Sequence, residues 1–386
     1  MKNPFQFGGT LRPDTIVNRK SEIKQIIQII QDSEKLFLIG PRRYGKTTIL
    51  HAARLQCEAR GGHVFYVNAE AYNNLPELTA RLFAIATETL IRFPLKAKTT
   101  IREALSRFKS TLSVDPLTNK VTGSLNFDAA AREQPVPLLV EALHLIEQLA
   151  SEQKKPVGII IDEFQAIILA GGAKAEGQIR AAIQDHHHVG YVFAGSRTRM
   201  LADMTNDHAR PFYRLGTRRM LKEIPAAEVI AWLCERLAQG GYHLTEATAE
   251  YLLARAEAVP YDIQKIAKAT WTWLVDNEQA TVTEEVIAAA CQTLIEEDGD
   301  IYLRAWNQLP ATQKTALGEV RRTGGQGLTT KDVLQRAHLT SSTMMRCLHS
   351  LEEKGILRAE DLVNESRWRF EDPLFGLWLD QLRQQA

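Results

Sequence analysis

Cysteine is scarce in this chain of 386 residues, and Cys57, Cys234, Cys291 and Cys347 stand far apart without a CxxC pair. That spacing argues against a cysteine zinc site and against a disulfide framework. It suits a reducing compartment, so a cytoplasmic location is expected. No apolar run approaches the roughly 18–20 residues that would span a bilayer. The opening Met1-Lys-Asn-Pro-Phe-Gln-Phe7 lacks the apolar core of a signal peptide. Neither sign of charge dominates: the net charge is +1, so the whole chain does not announce a polyanionic partner. Internal repeats and low-complexity stretches are absent as well. What remains is an ordinary globular composition, long enough for roughly two or three domains.

Against this plain background one stretch is dense with meaning. Gly40-Pro-Arg-Arg-Tyr-Gly-Lys-Thr47 reads G-x-x-x-x-G-K-T, follows the apolar run Leu36-Phe-Leu-Ile39, and opens a helical pattern near Thr47. Strand, loop and helix in that order make a phosphate-binding loop. Gly40 and Gly45 let the backbone curl so that its N–H groups face a triphosphate. The helix start adds a positive dipole end. Lys46 can reach the β- and γ-phosphates, and the Thr47 hydroxyl can ligate Mg²⁺. The expected cofactors are ATP and Mg²⁺, with Pro41, Arg42, Arg43, Tyr44 and Thr48 completing the nucleotide-binding set.

A second signal lies downstream. Val157-Gly-Ile-Ile-Ile-Asp-Glu-Phe164 is a β-branched strand ending in two carboxylates. Asp162 at such a tip orders water around Mg²⁺, and Glu163 can polarise the attacking water as a general base. The next strand, Val189 to Gly195, ends in Ser196 and Arg197. Arg197 there can sense the γ-phosphate or stabilise its charge; the alternative is a surface arginine at a helix start. Pro211-Phe-Tyr-Arg214 lies in a loop before the last expected strand, Arg218–Ile224, and one of Arg210, Arg214, Arg218 and Arg219 could serve a neighbouring subunit's site. His186-His-His188 looks like a metal tract, but no cluster of further ligands accompanies it, and a helix-end loop is the better reading.

Before the loop, Ser21 is expected to cap a helix whose Ile23, Ile26, Ile27 and Ile30 share one face. Arg19 and Glu22 are candidates for adenine contact, or else a solvated charge pair. Gly61-Gly62 ends the helix after the loop, and His63 to Asn68 follows as a buried strand. Residues 96–135 interrupt the α/β rhythm. Thr111–Val114 and Val121–Phe127 flank Asp115-Pro-Leu-Thr-Asn-Lys120, which suggests an inserted β-hairpin.

These residues together resemble a known family. GPRRYGKT, the strand ending IIIDEFQ, the strand ending GSR and the Pro-Phe-Tyr element look like the archaeal-type ATPases, of the STAND class of AAA-like NTPases. Val17-Asn-Arg-Lys-Ser-Glu22 is similar to that class's GRxxE adenine element, with Asn18 where glycine is usual. Val259-Pro260-Tyr261 resembles its GxP lid motif, with Ala258 in place of glycine, which brings Pro260 into the nucleotide-binding set. The resemblance implies a parallel sheet of order 5-1-4-3-2, a helical lid, ATP with Mg²⁺, and a conformational switch between ADP and ATP states.

From Pro225 onward the strand signals stop. Ala226–Gln239, Thr245–Glu257, Asp262–Asp276 and Glu284–Glu297 read as lid helices. Then Thr312–Arg322, Thr330–Ala337 and Thr340–Lys354 read as three helices, with Leu357 and Trp368-Arg-Phe370 as a wing. That order resembles a winged helix-turn-helix. Between Arg304 and Arg369 there are 11 Lys+Arg and 7 Asp+Glu, a net +4. Ser342, Arg346, Arg358, Arg367 and Arg369 are the candidate DNA contacts, although winged helices also dock proteins.

The fold class expected is therefore α/β: a three-layer P-loop NTPase over residues 1–224, carrying the 96–135 insertion. A helical lid over 225–300 and a winged helix over 301–386 follow. The expected function is a switch that binds and hydrolyses ATP, slowly or under a partner's stimulation. A DNA-associated ATP-dependent regulator and a non-hydrolysing nucleotide-gated scaffold are the alternatives. A protein partner or a homo-oligomer is possible; a membrane is not expected.

Overall fold

The computed structural model describes residues 2–9, 17–72, 74–90, 113–114, 121–122, 135–361 and 366–385. The chain divides into two compact units: Arg19–Pro41 with Gly45–Lys222, and Met1–Asn18 with Arg42–Tyr44 and Glu223–Ala386.

The first of these is built on five strands, β1 (Lys35–Ile39), β2 (His63–Asn68), β5 (Val157–Asp162), β6 (Val189–Gly195) and β7 (Thr217–Met220). All their pairings are parallel. The order is β2-β5-β6-β1-β7. Counting these sheet strands alone, that is 5-1-4-3-2, as expected. β5 and β6 are buried along their whole length, which explains why they read as unbroken apolar runs rather than alternating ones. Helix α1 (Lys20–Gln31) packs on α2 (Lys46–Ala59) and against β5 and β6. Helices Leu75–Leu90, Pro135–Ser151 and Gln165–Ile183 pack on one another. Phe37, Phe65, Ile159, Ile161, Tyr191 and Phe193 project from the sheet into the apolar cluster those three helices share.

Two local expectations change. Helix α1 begins at Lys20 with Arg19 at its cap position, so Ser21 is inside the first turn. Its hydroxyl donates to Glu22 Oε2 (2.8 Å) instead of capping the helix. The last strand runs Thr217–Met220 rather than to Ile224; Leu221 N still donates to Ile39 O (2.7 Å), but the chain then leaves the sheet. Of the insertion, the described pieces are β3 (Ser113–Val114) and β4 (Val121–Thr122), paired antiparallel. The rest of that expected hairpin lies outside the described residues.

The other unit is helical. Ala226–Ala238, Glu246–Arg255, Pro260–Asp276 and Glu284–Glu297 match the expected lid helices closely. Thr245 caps its helix by accepting from Thr248 N (3.2 Å), and Thr283 does the same from Val286 N (3.4 Å). Pro260 takes the first position of its helix, where its missing N–H costs nothing. Ala258 has φ +56, the left-handed region that glycine enters freely and alanine does not. Gly299–Asn307 adds a helix before the helix-turn-helix.

Ala311–Thr323, Lys331–Ala337 and Ser341–Glu353 then form the three helices of the winged helix. β8 (Leu357–Asp361) and β9 (Ser366–Phe370) pair antiparallel as its wing. The last helix, Pro373–Gln385, buries Phe375, Leu377 and Leu379 in the same apolar cluster as Trp271, Leu317, Met344 and Leu348. Phe5 joins that cluster through edge contacts with Trp232 and Trp271, whose ring centroids lie 5.4 and 6.3 Å away.

Candidate active site

The loop leaves β1 at Ile39 and enters α2 at Lys46. A Cβ on Gly40 would meet Leu221 Cβ at 2.8 Å, so the close approach of Leu221 forbids any side chain there. Gly45 has φ +83, and a Cβ built on it would meet nothing within 4 Å. The backbone therefore turns over open space. Gly45 is also the cap residue of α2 and supplies no side-chain hydrogen bond to it. Lys46 is buried, and its Nζ donates to Gly40 O (2.9 Å) and Pro41 O (2.8 Å). The ammonium is thus folded back across the loop's own carbonyls, and Thr48 is buried beside it in sequence.

Parallel register brings the acidic pair to the same end of the sheet. Asp162, fully buried, accepts a hydrogen bond from the Thr47 hydroxyl on Oδ2 at 2.7 Å. Tyr66 Oη donates to the same oxygen at 3.0 Å from the neighbouring β2. Oδ1 accepts from Glu163 N at 3.0 Å. A hydroxyl and a carboxylate side by side are hard oxygen donors. Mg²⁺ takes one or two such protein ligands and keeps several waters, so this donor set fits it. The uncapped helix start, the open space at Gly45 and the Lys46 ammonium fit a polyphosphate in the same way.

Glu163 follows with φ +51, a conformation a side-chain-bearing residue adopts only when its surroundings impose it. Phe164 is fully buried among Phe193 and Phe212, with centroids 4.6 and 5.5 Å from its own, and this anchor fixes the chain immediately after the acid. Glu163 Oε2 then accepts from Gln165 Nε2 (2.6 Å), Ser196 Oγ (2.8 Å) and Ser196 N (3.1 Å). Burial pushes the Glu163 pKa up, but Lys46 and the Gln165 and Ser196 hydrogen bonds outweigh it, and the net shift is downward. The carboxylate is ionised at neutral pH.

Arg197 sits beyond Ser196 at the cap position of the helix Thr198–Asn206. It is exposed and has no hydrogen bond or ion pair among the described residues. Arg19 is buried instead: Nη2 donates to Lys222 O (2.9 Å) and Nη1 lies 3.4 Å from Glu22 Oε1. Glu22 is also reached by Arg219 at 3.6 Å, so the charge pair is not solvated. Among the other arginines, Arg210 is forked onto buried Glu176 (2.5 and 3.2 Å), and Arg218 bonds Asn206. Arg214 lies over the Tyr213 ring, 5.1 Å from its centroid. Pro211 O and Tyr213 O both accept from Arg180 Nη1, which pins the Pro-Phe-Tyr element.

The histidine tract is accounted for by hydrogen bonds. His186 is buried between Tyr191 Oη (2.7 Å) and the His144 ring (2.9 Å), and His188 Nδ1 faces Glu147 (2.8 Å). Among the described residues, no group of three or more His, Cys, Asp and Glu is placed to hold a metal ion.

The DNA candidates separate sharply. Ser342 and Arg346 are exposed on the Ser341–Glu353 helix, which Thr340 caps through Thr343 N (3.2 Å). Arg346 has no partner among the described residues. Arg358 is not presented to solvent at all. It is buried, donating to Phe370 O (2.7 Å) beside Glu360. Arg369 is 14% exposed and is taken by Glu360 (2.9 Å), Glu223 (3.1 Å) and Glu257 O (3.0 Å). Arg367 donates to Gly324 O (3.0 Å) and stays half-buried. The wing's arginines therefore serve the fold. β8 and β9 put Arg358 directly opposite Arg369, and Glu360 supplies the anion both need.

Residues 16–186 match the family described as an ATPase domain predominantly from Archaea. That stretch is an archaeal-type ATPase domain. Residues 322–361 of the same chain match the IclR helix-turn-helix domain. A comparison with curated proteins finds no match. Among solved structures, the ATPase chain is similar to a Walker-type ATPase of Pyrococcus abyssi at 14% identity and TM-score 0.64, covering 98% of this chain and 99% of that one. It is also similar to the Aeropyrum pernix ORC2 protein in ADPNP–ADP complexes, at 15% identity and TM-score 0.53, covering 99% and 97%. A third is the Aeropyrum pernix ORC1 protein in complex with DNA, at 15% and TM-score 0.50, covering 97% and 96%. At such identities these likenesses establish the fold. Among the described residues, no helix of the ATPase chain is long and apolar enough to cross a membrane.

Gln165 and Tyr66 are the site residues that sequence reasoning passed over. Gln165 was visible as the last letter of IIIDEFQ, a polar side chain two residues past the acidic pair. Tyr66 carries no signal beyond being a hydroxyl in a buried strand.

Proposed function

We propose that this chain is a slow ATPase of the STAND/AAA type, in which the state of the nucleotide governs the helical and winged-helix part. The observation that carries the proposal is the Thr47 hydroxyl 2.7 Å from Asp162 Oδ2, with an ionised Glu163 next in sequence. Bound Mg²⁺-ATP would supply the electrophilic γ-phosphorus and a hydrated cation. The rest is the work of this chain. Lys46 releases Gly40 O and Pro41 O and gives its three donors to phosphate oxygens. Thr47 and Asp162 hold the cation through oxygen. Glu163 takes a proton from water, and Ser196 and Gln165 hold it in line for that task. Arg197, with no competing partner among the described residues, meets charge that is present only with the third phosphate. Four free cysteines, three of them buried, suit a reducing cytoplasm.

Phosphate release with and without Mg²⁺ tests this reading. Glu163→Gln keeps ATP affinity and slows turnover by about 10²–10⁴-fold. Retained turnover in that variant would remove Glu163 as the base. If wild type binds ATP but never turns it over, the non-hydrolysing scaffold is the correct reading. Arg197→Ala weakens ATP more than ADP; equal loss for both nucleotides makes Arg197 structural.

The winged helix favours a second reading beside the first, a DNA-associated regulator. The exposed Ser341, Ser342 and Arg346 on the capped helix support it. With Arg358 buried and Arg369 held in ion pairs, that contact would centre on the helix, and docking of a protein or of a second copy is the competing use.

A further inference from the structure

Tyr66 stands on β2 between Phe65 and Val67, which point into the apolar cluster on one side of the sheet. Alternation along the strand turns Tyr66 to the other side, toward α2. There the His51 ring meets it, with centroids 4.3 Å apart and planes tilted by 41°. His51 lies one helical turn beyond Thr47 on α2, so the two share a face. Packing against that ring sets the direction of the phenol. Parallel register puts Tyr66 beside Ile160 and Asn68 beside Asp162. Tyr66 therefore reaches past its own partner on β5 to place Oη 3.0 Å from Asp162 Oδ2.

The lone pairs of Asp162 can then be counted. Each oxygen of a carboxylate offers two. Oδ2 accepts from Thr47 Oγ1 at 2.7 Å and from Tyr66 Oη at 3.0 Å, so both of its lone pairs are taken. Oδ1 accepts from Glu163 N at 3.0 Å and keeps one. Among the described residues Asp162 has no further donor. It is fully buried, so bulk water does not compete for what is left. Asp162 has one lone pair to give, from one oxygen. A bidentate contact needs a lone pair from each.

We propose that Tyr66 is a positioning residue that sets the cation preference of this site: by filling Oδ2 it holds Asp162 to a single oxygen, which suits Mg²⁺ and disfavours Ca²⁺. This rests on the ATP-binding reading above. The two cations differ in what they ask of a carboxylate. Mg²⁺ keeps near-ideal octahedral geometry and several waters, and takes few oxygens from a protein. Ca²⁺ is larger, gathers more oxygens in looser geometry, and accepts both oxygens of one carboxylate. With the Tyr66 hydroxyl in place, that second oxygen is spent.

The test measures equilibrium binding of a fluorescent, non-hydrolysable ATP analogue to the full chain in Mg²⁺, in Ca²⁺ and in excess chelator. Wild type binds the analogue more tightly with Mg²⁺ than with Ca²⁺. Tyr66→Phe keeps the ring against His51 and removes only the hydroxyl. It narrows the ratio of Mg²⁺-supported to Ca²⁺-supported affinity by about tenfold, the lower end of what losing an outer partner does to a metal site. Its affinity in chelator stays that of wild type, because Tyr66 acts on the cation through Asp162. An unchanged ratio in Tyr66→Phe overturns the proposal. An equal loss with both cations, matched in chelator, also overturns it and makes Tyr66 a packing residue. Wild type that binds equally well with both cations overturns the preference and leaves the nucleotide site standing. Wild type that binds the analogue in none of the three conditions strikes the ATP-binding reading, and the cation preference falls with it.

Discussion

Ser196 donates to Glu163 Oε2 twice, from its hydroxyl at 2.8 Å and from its backbone N–H at 3.1 Å. The tip of one strand thereby fixes the acid at the tip of the next. Ser196→Ala removes the hydroxyl and keeps the N–H. One of the interactions that lowers the Glu163 pKa is then lost, so that pKa rises. A base must be ionised to act, so the acid limb of the pH–rate profile moves to higher pH, with turnover at neutral pH reduced by about tenfold or less. An unshifted acid limb would show that Ser196 does not act through Glu163.

Lys46 is buried at the loop, and its ammonium donates to the loop's own carbonyls. Lys46→Ala should lower ATP affinity by about 10²-fold or more, since it removes a charge-assisted contact to phosphate. Titration with a fluorescent ATP analogue measures this. Far-UV circular dichroism checks that the fold survives the substitution.

His186 makes a prediction about stability. Burial, helped by His144 and Lys35 and opposed by Glu147 and Asp185, holds its pKa down at about 4. In the unfolded chain an imidazole takes a proton near pH 6.5. Between those values the unfolded state binds more protons, so stability falls as pH is lowered from about 6.5 toward 4, by about 1–3 kcal/mol. His186→Gln keeps a hydrogen-bonding group for Tyr191 but cannot titrate. Its urea midpoint should change less than wild type's across that window; parallel curves would rule out His186 as the source.

For the winged helix, Arg346→Ala should weaken DNA binding while Arg358→Ala should act through stability instead. Gel shifts at two salt concentrations separate the cases. If Arg346 meets phosphate, its removal lowers the slope of affinity against salt by about one ion. Arg358→Ala strands a hydrogen-bonded buried site and should lower the melting temperature. Equal loss of DNA affinity in both variants, with melting unchanged, would contradict the buried wing.

The loop, the acidic strand and the sheet order were legible because each is local chemistry or a run of apolar residues. Lys46, Thr47, Asp162 and Glu163 stand at the positions that G-x-x-x-x-G-K-T and IIIDE imply. The hydrogen bonds that hold Glu163 were not legible. Gln165 and Ser196 are 31 residues apart in sequence, and only the parallel register of β5 and β6 brings their ends together. The wing failed for a different reason. Arg358, Arg367 and Arg369 look exposed when counted as charge, yet Arg358 is buried and Arg369, only partly exposed, is held in ion pairs. Antiparallel pairing sets Arg358 opposite Arg369, and like charges so placed require anions between them. That requirement is a usable signal once the register is known, and composition does not carry it. Ala258 was readable only as a departure from GxP; its φ of +56 shows that alanine accepts there the backbone glycine would take freely.

Phe5 packs on Trp232 and Trp271, and this sets a schedule for synthesis. At about 5–20 residues per second, the ribosome releases Phe5 tens of seconds before the second indole exists. The sheet-bearing unit ends at Lys222, so all its strands emerge while the first aromatic still waits for its pocket. A nascent chain stalled short of residue 230 should display Phe5 to any chaperone that reads apolar side chains, and one stalled well beyond Trp271 should not.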